Sequence, residues 1–289
     1  MSLQRAVSHT ISYASFFRFP LLPAEIHRWL IYPRLVSHHK LESFLPDQPT
    51  SSVLRLRAQT IYHSNQKTIH AQKLLKILKY LPGLRLVALT GSVAANNAQK
   101  NDDIDLLFIT APHTLWLVRP LVIVLISLFF RRRHPQEDHT HAPDAFCPNL
   151  WLDTFSLAVP LTKRSLYTAH EVLQIKPLLD RGDTYQRFLQ ANLWTKKYLA
   201  NAYISLAPKS PIPVIPAEVT MPAGRQGIHQ INSVISVFLF PFNYLSYLIQ
   251  LLYMLPKKTT ETVNPHAAFL HTTDFSGQLN RYLKRTNNI

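Results

Sequence analysis

The stretch from residue 84 to residue 110 constrains this chain more than any other. Leu84 to Thr90 is an apolar run, Gly91-Ser92 breaks it, and a second apolar run opens at Asp103. Leu84 to Thr90 is short and lies between Pro82-Gly83 and Gly91, so it reads as a buried strand. Gly91-Ser92 opens a short helical piece, Val93 to Ala98, and Gln99 to Asp102 is polar and loop-like. Asp103 to Thr110 is the second strand. Residues i and i+2 of a strand share a face. Asp103 and Asp105 therefore aim two carboxylates at one point, while Ile104 and Leu106 turn to the core. Converging carboxylates hold Mg²⁺ against phosphate in many proteins, and free N–H groups after a Gly turn suit a phosphate oxygen. A lone Gly-Ser or Asp-x-Asp is ordinary turn chemistry. Their placement on strand, turn and strand is what specifies a phosphate-plus-metal site.

Gly91, Ser92, Asp103, Ile104, Asp105 and Leu106 resemble, position by position, the core pattern of the nucleotidyltransferase superfamily that includes DNA polymerase β, kanamycin nucleotidyltransferase and the CCA-adding enzymes. The resemblance implies that Gly91 and Ser92 hold the triphosphate of an NTP such as ATP. It implies that Asp103 and Asp105 coordinate two Mg²⁺ ions, and that a third carboxylate arrives from a neighbouring strand. Asp153 is the best candidate for that catalytic and metal-binding role, because Asn149 to Asp153 is apolar enough to be the next strand. The competing reading is a strand-end or capping Asp. Asp144, in a Pro-flanked polar loop, is the runner-up. The layout also resembles a group of uncharacterised nucleotidyltransferase-domain proteins. The stretches are Phe16 to Leu21 with Glu25-Ile26, Thr90-Gly91-Ser92, Phe146 to Asn149, Leu166 to Glu171, and Ala268 to His271 with Asp274.

The expected activity is Mg²⁺-dependent transfer of a nucleoside monophosphate from an NTP to an acceptor hydroxyl, on a nucleic acid, a protein or a small molecule. The alternative is a catalytically degenerate core that serves as a nucleic-acid-binding or membrane-associated regulatory protein. Formal net charge is +15, from 31 Lys and Arg against 16 Asp and Glu. Such a field attracts polyanions, but it is spread along the chain, with local clusters only at Arg131-Arg132-Arg133, Lys196-Lys197 and Lys257-Lys258. The single cysteine, Cys147, excludes a disulfide framework and a Cys-rich zinc site. His139, His141 and Cys147 fall among polar residues and prolines and read as a solvated loop rather than a metal site. The N-terminus carries no secretory or transit signal, so a cytoplasmic setting is expected.

The expected fold class is α+β, with a nucleotidyltransferase core of a small mixed sheet and helices over residues 61–160. Residues 1–60 read as a helical module, either the opening of a winged-helix-like unit or a plain helical cap. Pro23 suits the first position of a helix there. A basic helix is predicted over 53–81, and a buried helix over the uncharged run ending at Phe130. Residues 161–289 form a C-terminal helical region with helices at 165–179 and 183–200 and a Pro-rich loop at 207–230. Tyr167, His170 and Glu171 are polar enough to line a site, although a surface position is the default. Val234 to Leu255 is uncharged for the length of a bilayer and is followed by Lys257 and Lys258. Pro241, Asn243 and Gln250 interrupt it. A buried or partner-facing helix is the favoured reading, with membrane contact through 234–255 as the alternative.

Overall fold

A computed structural model describes residues 1–47, 49–134, 137, 142–207, 223–255, 261–270 and 275–286, with only the main chain described over 223–237. The helices are α1 (Leu3–Phe16), α2 (Pro23–Arg28), α3 (Ser51–Leu78), α4 (Gly91–Ala94), α5 (Leu115–Phe129), α6 (Leu166–Gln174), α7 (Thr184–Ala191), α8 (Ala200–Leu206), α9 (Ala223–Met254) and α10 (Phe275–Thr286). The strands are β1 (Leu84–Leu89), β2 (Ile104–Thr110), β3 (Phe146–Asp153), β4 (Lys176–Asp180), β5 (Thr262–Asn264) and β6 (Ala267–Phe269). They form one six-stranded mixed sheet in the order β4-β1-β2-β3-β6-β5. The chain is thus α+β, with helices around a mixed sheet.

β1 and β2 are almost continuously apolar because both faces of the sheet centre are covered. Leu86, Ala88, Leu107 and Ile109 pack with α6, α8 and α10 on one face, joined by Tyr13 of α1. Val87, Leu89, Leu106 and Phe108 pack with α3 and α5 on the other. β1 and β2 run antiparallel. β2 and β3 run parallel, and α5 makes the crossover that parallel pairing requires. Asp105 lies opposite Cys147, but Leu107 lies opposite Leu150, so β3 carries one extra residue at this point.

The N-terminal segment packs α1 and α2 around Ala6, Val7, Ile26, Leu30, Val36 and Leu41. Residues 1–47 contain no strand beyond a single bridge, Tyr32 to Leu199, so the described segment supplies no wing. α1 is a cap seated on the sheet: Tyr13 belongs to the same core as Leu86 and Ile109.

α5 is buried along only one side. Trp116, Val122 and Ile126 face the sheet, whereas Leu121, Val124, Leu128 and Phe129 are exposed. Pro120 has no N–H to give the carbonyl of Trp116, four residues back. α9 supplies the missing donors: Ser246 Oγ and Gln250 Nε2 each donate to Trp116 O at 2.7 Å. Asn243 Oδ1 accepts the Trp116 N–H at 2.9 Å. Asn243 and Gln250, which break the apolar run by sequence, are thus the groups that dock α9 on α5. Among the described residues no helix is long and apolar enough to cross a membrane. The helical conformation of 223–230 replaces part of the loop expected at 207–230, while residues 208–222, His139, His141, His271 and Asp274 lie outside the described residues.

Candidate functional site

β1 delivers the chain to Gly91, whose φ of +59° falls in the left-handed region that favours glycine. Space demands glycine as well: a Cβ there would sit 2.5 Å from Asp105 Oδ2. Thr90 N–H donates to Asp105 O at 3.0 Å, which ties the turn to β2. Asp103 stands just before β2 and is 5% exposed; Asp105 is the second residue of the strand. Ligand atoms of Asp103, Asp105 and Cys147 all lie within 4.8 Å of one another. The convergence expected from i, i+2 spacing is therefore present, and β3 adds Cys147 and Asn149. Asn149 Nδ2 donates to Asp105 Oδ1 at 2.5 Å.

The electrostatics of this pair are those of two carboxylates competing for one charge. Burial pushes the Asp103 carboxyl up, the neighbouring Asp105 pushes it further, and Arg133 opposes both, leaving it at about 8. Arg133 Nε lies 2.9 Å from Asp103 Oδ2, but its proton is directed at Cys147 Sγ, 3.3 Å away. Asp103 Oδ2 is buried and has no hydrogen bond among the described residues. Burial and the two carboxylates together push the Cys147 thiol up, so it stays protonated. A neutral sulfur is a poor ligand for a hard cation, whereas paired carboxylate oxygens are good ones. The oxygens of Asp103 and Asp105 suit a hard divalent cation; the Cys147 sulfur does not.

Ser92 plays a different part from the one its hydroxyl suggests. Its Oγ donates to Asp102 Oδ2 at 3.0 Å, and the same oxygen accepts Gln99 N–H at 2.9 Å. The Ser92 side chain thus shapes the 99–103 loop, and what remains for a ligand is backbone N–H in the first turn of α4. Lys67, only 2% exposed, steadies the loop from below. Its Nζ donates to Lys100 O, Asp102 O and Asp144 Oδ1 at 3.1, 2.7 and 2.8 Å. Asp144 is the partner of Lys67 and takes no part in the carboxylate pair.

The pair opens into a cavity of about 1200 Å³ bounded by α1, α2, α4 and α6. Tyr13, Trp29, Tyr167 and His170 give it an aromatic wall, and Arg18, Arg28 and Lys176 line it with positive charge. His170 stacks on Tyr13 at 3.9 Å with 16° between the planes. Burial drops its pKa to about 3, so the ring is neutral. Neither of its nitrogens has a hydrogen-bond partner among the described residues. Glu171 lines the same cavity, its carboxyl pushed up to about 7 by burial and then by the charge of Asp105.

Asp153 is not the third member of this site. It ends β3 opposite Thr110, five residues along β2 from Asp105, or roughly 16 Å at the rise of a strand. Its neighbour Leu152 packs on the cavity side and Trp151 on the opposite side, so Asp153 follows Trp151. Its carboxylate accepts N–H groups from His113, Phe155 and Ser156 at 3.1, 3.0 and 3.2 Å, and His266 Nδ1 lies 2.9 Å away. Another carboxylate in the cavity with Asp105 is Glu171, whose carboxyl the Asp105 charge helps to raise. Sequence reasoning placed Glu171 at the surface by default, and it read Arg133 as one of a charge cluster. The sequence carried one signal for Glu171, its place beside Tyr167 and His170 in a polar-aromatic helix. Comparison with protein-family models, with curated proteins and with solved structures found no match.

Proposed function

We propose that the chain is a Mg²⁺-dependent nucleotidyltransferase that moves a nucleoside monophosphate from an NTP to an acceptor hydroxyl. The observation that carries this reading is the seating of Gly91 directly beneath Asp105, with Asp103 and Asp105 sharing a charge at the floor of a large aromatic cavity. A Gly turn beside a carboxylate pair brings phosphate-binding N–H groups and cation ligands to the same point. Bound Mg²⁺ would screen the triphosphate charge and lower the pKa of the acceptor hydroxyl.

The chain's own residues divide the remaining work. Asp103 and Asp105 would hold the cation through their carboxylate oxygens. The N–H groups at Gly91 and Ser92 receive the phosphates. Tyr13, Trp29 and Tyr167 offer flat apolar surface to a base. Glu171, poised near 7, takes the place assigned to Asp153 and accepts the acceptor proton. Arg18, Arg28 and Lys176 draw the anionic substrate into the cavity.

A second reading is nucleotide binding without transfer. Arg133 beside Asp103, and a cysteine rather than a carboxylate opposite Asp105 on β3, favour it. Incubation with each α-labelled NTP, Mg²⁺ and a cell extract separates the two. Transfer requires label in an acceptor fraction with wild type and at least about 100-fold less with Asp105→Asn, the scale of losing one preorganised charge at a reacting centre. NTP binding with no label transferred by either protein selects the second reading. Neither binding nor transfer rejects both.

A further inference from the structure

We propose that His113, Asp153 and His266 form a site for one divalent transition-metal ion, with Zn²⁺ the ion that the donors suit best. A ligand atom from each residue lies within 4.8 Å of the other two. Two imidazoles and a carboxylate suit borderline cations, and three protein ligands leave a fourth position open. The residues come from three segments. His113 lies in the loop from β2 to α5, Asp153 ends β3, and His266 sits in the turn between β5 and β6. The site stands at the carboxyl ends of the parallel pair β2 and β3, the opposite end from Asp103 and Asp105. It does not rest on the transferase reading.

A capping role explains part of Asp153. Its Oδ1 accepts Phe155 and Ser156 N–H, and its Oδ2 accepts His113 N–H. Capping does not require two imidazoles at the same carboxylate. Nor does it explain His113, whose Nδ1 is buried with no hydrogen-bond partner among the described residues. An orphaned ring nitrogen beside a fully buried carboxylate is a donor awaiting an acceptor of its lone pair.

The support around the three residues is that of a prepared site. The hydrogen bonds that Asp153 accepts orient its carboxylate. Trp116 Nε1 donates to Asn264 O and Pro265 O at 3.2 and 3.1 Å, and Asn264 Oδ1 accepts His266 N–H at 2.8 Å, so the turn is pinned. Phe155 stacks on His266 at 4.9 Å, and Phe240 meets the His113 ring edge-on at 5.2 Å. These rings border the two imidazoles on their apolar sides, while Asp153 itself is fully buried.

The test is titration of the metal-free full chain with Co²⁺, a spectroscopic stand-in for Zn²⁺. One equivalent should give visible d–d bands without the near-ultraviolet thiolate band that Cys147 would add, and Zn²⁺ should displace it. His266→Ala, at a partly exposed turn, should weaken Co²⁺ binding by more than about 10-fold, the scale of losing even a supporting contact to a metal ligand. Its circular dichroism and metal-free Tm should match wild type. Asp103→Asn should leave the d–d bands of the histidine-ligated ion unchanged. The proposal is overturned by the absence of a saturable band in wild type, by titrations of His113→Ala and His266→Ala that match wild type, or by a thiolate band that vanishes in Asp103→Asn.

Discussion

Gly91 and Asp105 show how one missing side chain shapes the site. Gly91→Ala places a methyl group 2.5 Å from Asp105 Oδ2 at a φ of +59°, so either the turn or the carboxylate moves. The expected outcome is about 1–2 kcal/mol of lost stability from the left-handed backbone, together with weaker Mg²⁺ binding. Urea unfolding and a Mg²⁺ titration of the same variant check both, and wild-type values for either would contradict the packing described. His170 should behave in the opposite sense. His170→Phe keeps the ring on Tyr13 and removes two buried nitrogens that lack partners. Stability should rise by about 1–2 kcal/mol, while nucleotide affinity falls if a ligand atom completes those nitrogens. A drop in Tm for this variant would mean that the nitrogens are already satisfied.

Elements differ in how openly the sequence declares them. β1, β2 and the Gly turn between them were legible because both strands are short apolar runs with unambiguous breaks. The i, i+2 rule then placed Asp103 and Asp105 on one face. Asp153 was misplaced because a period-two argument says which residues share a face within a strand, not which end of it meets the site. The extra residue in β3 also changes its pairing with β2 between Asp105 and Leu107. Glu171 and Arg133 were hidden for a different reason: tertiary packing brings Arg133 to Asp103 and Glu171 into the cavity that Asp105 lines, and it leaves no local pattern. Cys147 was likewise read with its loop rather than as the residue opposite Asp105. The α5–α9 pair gives an element-scale prediction. Gln250 completes the Trp116 carbonyl that Pro120 leaves open and accepts Arg119 Nη1 at 2.7 Å. Gln250→Leu should therefore cost about 2–3 kcal/mol in urea unfolding despite the added apolar surface, and an unchanged midpoint would show that α9 is not docked through this residue.

At the scale of the whole molecule the same centre couples charge to stability. Asp103 sits at about 8 in the folded chain against an ordinary value of 3.8, and Glu171 at about 7 against 4.5. Between the unfolded and folded values the native state holds protons that the unfolded chain has released, so stability falls as pH rises through that window. A cation on the carboxylate pair reverses the trend, because it displaces the Asp103 proton and binds the folded chain alone. On the proposed function, the positive field of a chain with net charge +15 would draw in an anionic substrate. The most direct measurement is calorimetric titration of Mg²⁺ into the full chain at pH 7, in two buffers of different ionisation enthalpy. A carboxylate pair that shares one charge should release about one proton per Mg²⁺ bound, and Asp103→Asn should abolish that release. Binding heats that do not depend on the buffer, or Mg²⁺ binding that persists with the same proton release in Asp103→Asn, would contradict a cation centre at Asp103 and Asp105.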